Sequence, residues 1–350
     1  MELTRLLALI DDIIKNNISD LHFTTGEFPH IRNKVGDIAP VEAFGKMTPT
    51  DMERVISLII LRPFTEITCD VSYERNGTRF RVNISRIIGG ISIAMRTIPS
   101  IIPEPSEIYL NNDLLKLTNT EKGIILFTGP TGSGKSTSMA TMIEHINRNS
   151  ARHIITLEDP VEFLHKNKYS LIHQRELGTH FTNFPDGIRS ILREDPDVII
   201  VGEMRDLETI RAAITLAETG HLVFSTLHTN DTVQTIDRII QSFPSDEQNQ
   251  IRMQLSLALT AVISQVLLPK ADASGRIVAR EVLINNDSIR NLIIRGQTHQ
   301  MYSVLETSKQ QGMNLMDDAL IDLYKKKIVK RETIERYVHE LDRINMITGE

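Results

Sequence analysis

The chain has 350 residues, 41% apolar and 24% charged, a composition that fits two globular domains and excludes a disordered or fibrous protein. Its 39 Lys and Arg against 45 Asp and Glu leave a formal charge of −6, which gives no bulk electrostatic reason to coat nucleic acid or anionic lipid. A single cysteine, Cys69, excludes a disulfide framework and a four-cysteine zinc site, and with 11 Phe, 6 Tyr and no Trp the chain is poor in base-stacking side chains.

The first predicted element is an amphipathic helix. Leu3, Leu6, Leu7, Ile10, Ile13 and Ile14 fall on one face, with Glu2, Asp11 and Asp12 on the other. It lacks the positive start and unbroken apolar block of a secretory signal, and no apolar run reaches the roughly 18 residues that a membrane span needs. The expectation is a cytoplasmic protein with no direct membrane insertion. Short strand-like runs follow over 20–23 and 30–35, then a helix over 51–61. Two strands flank Asn76-Gly77, the dipeptide of a tight type I′ hairpin turn. The second of them, over 79–84, alternates charge and apolar bulk, so Arg79 and Arg81 share one face. Gly89-Gly90 turns the chain into another strand over 91–98, which carries Arg96.

Pro99, Pro103 and Pro105 then interrupt any helix or central strand and mark the best domain boundary. Beyond it, apolar runs over 124–127, 154–157, 198–201 and 222–225 alternate with helical patterns. That alternation predicts a largely parallel sheet covered on both faces, and the tail past Asn286 reads as several helices.

The strongest chemical signal is Gly129-Pro130-Thr131-Gly132-Ser133-Gly134-Lys135-Ser136, followed by Thr137. It matches the full phosphate-binding loop pattern between a predicted strand and a predicted helix over 137–148. Backbone N–H groups of such a loop surround the β-phosphate at the positive end of the helix. Lys135 reaches the β- and γ-phosphates, and Ser136 ligates Mg²⁺. ATP and Mg²⁺ are therefore the expected cofactors. Hydrolysis also needs carboxylates, and two candidates stand at the ends of predicted parallel strands, where such sheets bind ligands: Glu158 and Glu203. Gly202 occupies the place where a Mg²⁺-holding Asp is usual, so a carboxylate has to come from elsewhere, and Glu158 is the nearest source. His221 and His228 bracket a buried-looking strand, and an imidazole there can donate to a γ-phosphate oxygen and sense its loss. Arg79, Arg81 and Arg96 form either a solvated sheet face or a set of charge-stabilising fingers for an ATP site on a neighbouring subunit.

Three runs carry a resemblance: 155–163 (Ile-Thr-Leu-Glu-Asp-Pro-Val-Glu-Phe), 192–211 (Leu-Arg-Glu-Asp-Pro-Asp through Glu-Thr-Ile-Arg) and 217–229 (Ala-Glu-Thr-Gly-His through Leu-His-Thr). Together they resemble the secretion ATPase superfamily (GspE, PulE and VirB types), and within it the PilT-like type IV pilus retraction ATPases. The likeness runs from Ser19-Asp-Leu-His to Gln300-Met-Tyr-Ser. It implies an α/β protein, with a PAS-like α+β domain over 1–98, a Pro-rich linker over 99–108, and a RecA-like ATPase domain with C-terminal helices over 109–350. It also implies a homohexameric motor for pilus retraction and twitching motility. Such a motor works on an inner-membrane pilus platform protein and associates peripherally with that membrane.

By the same resemblance Glu158 lies in the aspartate box as the water-activating base, Glu203 takes the Walker B position beside Mg²⁺, and His221 and His228 take the histidine-box positions. Arg81 and Arg96 match arginines that complete the nucleotide site. Sequence alone leaves open which of Glu158 and Glu203 is the base. The family's retraction motif, Ala-Ile-Arg-Asn-Leu-Ile-Arg-Glu, stands here as residues 288–295, Ser-Ile-Arg-Asn-Leu-Ile-Ile-Arg, with its closing charge pair altered. The alternatives are a pilus-assembly or type II secretion ATPase, which generally carries a four-cysteine motif and a long N-terminal extension, or an accessory retraction motor. Two more distant rivals are a nucleic-acid translocase, disfavoured by the acidic charge, and a non-hydrolysing nucleotide-gated scaffold, disfavoured by the two glutamates.

Overall fold

The computed structural model describes residues 3–16, 18–32, 37–60, 62–98 and 101–338, and within them the chain divides into two compact units between Ile101 and Ile102, with Glu162–Leu164 grouped with the first. In the first unit, helix α1 (Leu3–Lys15) and helix α2 (Pro49–Ile60) follow the apolar spacing of their sequences. Its strands are β1 (Asp20–Thr24), β2 (His30–Arg32), β3 (Ile38–Pro40), β4 (Thr68–Arg75), β5 (Thr78–Ile87) and β6 (Gly90–Ile98). They form an antiparallel sheet in the order β3-β2-β1-β6-β5-β4. Asn76 and Gly77 take φ of 49° and 74°, the left-handed pair that the expected hairpin turn requires. Phe80, Val82, Ile84, Ile93 and Met95 pack with Leu6, Ile10, Val55 and Ile56 of the helices, so one face of the sheet is core. The alternate residues, Arg79 and Arg81 on β5 and Arg96 on β6, lie on the opposite face. Residues 33–35 of the strand expected over 30–35, and Leu61 at the end of the expected helix, fall outside the described residues, as do Pro99 and Ser100 of the boundary segment.

The second unit contains α3 (Asn112–Lys116), β7 (Gly123–Thr128), α4 (Lys135–Asn149), β8 (His153–Glu158), β9 (Leu171–Glu176), α5 (Phe184–Ile191), β10 (Val198–Val201), α6 (Leu207–Glu218) and β11 (Leu222–Leu227). There follow α7 (Thr232–Gln241), α8 (Gln248–Ala258), β12 (Leu259–Pro269), β13 (Arg276–Ile284), α9 (Asp287–Arg295), α10 (Met301–Thr307), α11 (Met316–Lys325) and α12 (Arg331–Ile334). The sheet order is β13-β12-β7-β11-β10-β8-β9, parallel throughout except for β13. Its central strands β7, β11 and β10 are buried at every position because both faces are covered. Ile124 and Leu126 of β7 face α6, α7 and α8, while Ile125 and Phe127 face α3 and α4. The helices after β13 extend both ends of this core: Ile289 and Ile293 of α9 join the α6–α8 side, and Leu320 of α11 packs on Leu268 and Ile277. The fold is thus an α+β domain followed by a RecA-like α/β domain with a helical C-terminal part.

Candidate nucleotide site

Strand β7, wholly buried, delivers the glycine loop to the C-terminal edge of the parallel sheet, where ligands of such sheets bind. Gly129 has φ +134°, and a Cβ there would lie 2.3 Å from the main-chain oxygen of Gln265 on β12, so no larger residue passes between the loop and that strand. Gly134, at φ +86°, opens α4 without a side-chain cap, which leaves the first helical N–H groups to an anion. Lys135 curls back over the loop, its Nζ donating to the carbonyls of Gly129 at 2.7 Å and Pro130 at 3.1 Å. Helix α4 begins at Lys135, two residues before the expected start, because the Gly134 conformation already turns the chain into it.

The strand order fixes what stands beside this loop. Passing from β7 through β11 and β10 to β8, the same edge presents the loop, then His228, then Glu203, then Glu158, with about 4.8 Å between neighbouring strands. Glu203 accepts from Arg205 Nε at 2.9 Å on Oε2 and lies 3.2 Å from His228 Nε2 through Oε1. Arg205 reaches Asp159 as well, at 3.9 Å. Glu158, the last residue of β8, accepts from the Thr156 hydroxyl at 2.6 Å and from Gln174 Nε2 at 3.3 Å, both on Oε1. Gly202 explains its own presence: a Cβ there would come within 3.1 Å of Leu157 O and 3.3 Å of Glu158 Cα, where β10 and β8 end side by side.

The two histidines are separated. His228 follows the C-terminal end of β11, beside the loop and Glu203. His221 precedes its N-terminal end, where its carbonyl accepts from Gly123 N at 3.0 Å and its Nδ1 lies 3.0 Å from Leu216 O. A six-residue strand spans about 20 Å, so His221 does not join this site. It lines instead a cavity of about 690 Å³ between α5 and α6 that contains none of the loop residues or candidate acids.

In the first unit Arg81 and Arg96 are cross-strand partners on the exposed face, with Arg79 two residues from Arg81 on the same face. Arg96 Nε donates to Asp20 Oδ1 at 2.7 Å, Arg32 lies 3.4 Å from Oδ2, and Arg79 donates to Ser72 Oγ at 3.0 Å. Burial works against the Asp20 carboxylate, but the Ser19 hydroxyl, Arg96 and Arg32 outweigh it and hold the carboxyl below its ordinary range. The three arginines are therefore brought together on one face, and Arg96 is fastened there by a half-shared carboxylate.

Several site residues escaped the sequence reading. Gln265, 1% exposed in the middle of β12, donates Nε2 to Ser133 O at 2.8 Å and so braces the loop from behind. Arg280 on β13 donates to the carbonyls of Ile108 and Tyr109 and to Ser138 Oγ, and burial draws its pKa down to about 10, which leaves it charged at neutral pH. Together with Ser133, Gly134, Thr137, Leu267 and Ile277 it borders a cavity of about 260 Å³ directly behind the loop. A polar or charged residue inside an apolar strand was the available signal, in Ser264-Gln265 of β12 and Arg280-Glu281 of β13. At the far end of α4, Glu144 receives hydrogen bonds from His165, Lys168, Asn147 and Arg148. Burial opposes its charge, but those donors prevail and hold the carboxyl well below the usual glutamate range.

A family model described as type II/IV secretion system protein matches residues 74–336. The type IV pilus retraction ATPase PilT of Pseudomonas aeruginosa is 42% identical over 341 residues, which cover 95% of this chain and 96% of that protein. The type IV pilus ATPase PilU of the same organism is 37% identical, over 93% of this chain and 85% of its own length. A crystal structure of the pilus retraction motor PilT with bound ADP superposes with a TM-score of 0.90 at 41% identity, covering 96% of this chain and 98% of the other.

Proposed function

This chain belongs to the type II/IV secretion system protein family, and on that premise we propose that it is an ATP-hydrolysing motor that powers type IV pilus retraction. The observation that carries the reading is the row at one sheet edge: an open helix N-terminus with its lysine, then His228, Glu203 and Glu158. The likeness to PilT along nearly the whole length of both chains supports retraction, rather than secretion, as the work done.

In this reading the N–H groups of Gly129–Ser136 and the ammonium of Lys135 take the β- and γ-phosphates, Lys135 exchanging the carbonyls of Gly129 and Pro130 for phosphate oxygens. The purine and ribose fit the cavity behind the loop, between Thr137 and the β12–β13 hairpin. Ser136 and Glu203 offer one hydroxyl and one carboxylate, a donor set that suits Mg²⁺, which binds through few protein oxygens plus phosphates and water. Bound there, the cation would neutralise phosphate charge. Glu158 removes a proton from the attacking water, whose oxygen forms the new bond to the γ-phosphorus as the bridging bond breaks toward ADP. Glu158 is held by the Thr156 hydroxyl and the Gln174 amide, whereas Glu203 is faced by Arg205 and His228, and on that difference the base is assigned to Glu158. His228 loses a partner when the γ-phosphate leaves, and it touches Glu203 directly.

Arg81 and Arg96 serve as fingers for the nucleotide of a neighbouring subunit in a homohexamer, and hydrolysis shifts the two units about the proline-rich segment 99–105. The motor acts in the cytoplasm on the pilus platform protein of the inner membrane. Among the described residues no helix is long and apolar enough to cross a membrane. Two measurements test the reading. Lys135→Ala should abolish phosphate release, and unchanged turnover would overturn the site. Deleting the gene in its source organism should leave excess surface pili and no twitching, whereas bald cells would make it an assembly motor. The similarity to PilU and the altered 294–295 ending of the α9 motif favour a second reading, an accessory retraction motor, which unchanged piliation in that deletion would support.

A further inference from the structure

We propose that Thr156 and Gln174 are positioning residues that aim the Glu158 carboxylate at the attacking water, an inference that rests on the reading of Glu158 as the base. Strands β8 and β9 are parallel and in register, Thr156 opposite Gln174 and Glu158 opposite Glu176, so Thr156, Glu158 and Gln174 project from one face of the sheet. The Thr156 hydroxyl donates to Glu158 Oε1 at 2.6 Å from two residues earlier on the same strand. Gln174 Nε2 donates to that same oxygen at 3.3 Å from the neighbouring strand.

The orientation of the Gln174 amide is itself determined. Its Oε1 accepts from the backbone N–H of His165 at 2.8 Å, so its NH₂ group is the end presented to Glu158. His165 is in turn seated by Nδ1, 3.3 Å from Glu144 Oε2 on α4. Thr156 is 2% exposed, so its hydroxyl cannot turn to bulk solvent instead. Two donors converging on Oε1 from different strands fix the side-chain torsions of the glutamate, which two donors from one flexible segment would not do. A base must stand within about 2.6–3.2 Å of the proton it removes, and errors well under an ångström at that contact are felt in the rate.

The same donors stabilise the ionised carboxylate, which gives the proposal a signature beyond rate. Removing a donor to the charged form raises the proton affinity of the base, and placing a second carboxylate against it does so more strongly. The other titratable groups at this edge, Glu176 on β9 and Asp159, Glu203 and Arg205 after the strand ends, are left in place by the test.

Turnover of the full-length protein would be measured against pH for Thr156→Val, Gln174→Glu and Glu158→Gln. Gln174→Glu keeps an acceptor for His165 N–H and replaces the donor by a carboxylate oxygen. The expected result is a kcat at pH 8 lowered about tenfold in each of the first two variants, with KM for ATP within twofold of the parent. The acid limb of kcat should move up by about one pH unit or more in Gln174→Glu and by less in Thr156→Val. Parental kcat and an unmoved acid limb in Gln174→Glu, beside an inactive Glu158→Gln, overturn the positioning role alone. Parental turnover in Glu158→Gln overturns the base assignment and the positioning role with it. Should Thr156→Val fail to fold, Gln174→Glu decides, since that side chain is only partly buried.

Discussion

Replacing Gly202 by alanine tests whether the missing aspartate of the second acidic motif has a steric cause. A Cβ at that position would stand 3.1 Å from Leu157 O and 3.3 Å from Glu158 Cα. Both are main-chain atoms of β8, and Gly202 N already donates to Leu157 O at 2.8 Å, so neither strand end has a flexible side chain that can move aside. The two ends must part by a few tenths of an ångström. Crowding of this kind in a packed interior costs about 1–3 kcal/mol. For a domain of this size that lowers Tm by roughly 2–12 °C. The displaced atom is the Cα of Glu158, and if a 1 Å misplacement costs about a hundredfold in rate, a shift of about 0.3 Å costs about fourfold. Calorimetry and steady-state phosphate release on Gly202→Ala therefore should show a lower Tm and a kcat reduced several-fold, with KM for ATP near the parental value because the loop is untouched. Gly202→Asp should be worse on both counts, adding a third carboxylate beside Glu158 and Glu203. Parental Tm and kcat in Gly202→Ala would refute the steric reasoning, as would an aspartate variant that outperforms the alanine one.

Gln265→Leu keeps the bulk of the side chain but deletes the donor to Ser133 O, leaving a buried carbonyl without that partner. ADP affinity by fluorescence titration should fall about tenfold, and affinity unchanged from the parent would remove Gln265 from the site. Glu144 has a folded-state pKa below its unfolded value, so its stabilisation is complete above about pH 4.3 and is lost as pH falls further toward the folded value. The Tm gap between the parent and Glu144→Gln should accordingly be full at pH 7 and narrow below pH 4.3, and a gap that stays constant down to pH 3 contradicts the charge-based account.

Most of the second unit was legible because its signals are local. The loop, the apolar strands and the helices that follow them all show in windows of fewer than 20 residues, and the strand ends carrying Glu158 and Glu203 could be placed before any coordinate was known. The hairpin at Asn76-Gly77 was equally legible, since the turn type follows from that dipeptide. What escaped depended on strand order. His221 and His228 are seven residues apart and look like one motif, yet an intervening strand sends them to opposite sheet edges. Gln265 sits more than 100 residues from the loop it braces, and Arg280 as far from the Ser138 hydroxyl of α4; the pairing of β12 with β7 and of β13 with β12 brings them there. The start of helix α4 lies two residues before the expected one because the Gly134 conformation already turns the chain into it.

The proposed division of labour between the two glutamates depends on the same class of information. Both stand at or just past the C-terminal end of a parallel strand, so composition and spacing treat them alike. Their difference comes from which strands and loops lie beside each one. Glu203 follows β10, and the adjacent end of β11 supplies His228 while its own loop supplies Arg205, so charged or chargeable donors occupy both of its oxygens. Glu158 ends β8, whose other neighbour is β9, and β9 offers an amide. Strand order alone thus sets two similar acidic positions in different company, and the proposed roles of Glu203 and Glu158 rest on that difference.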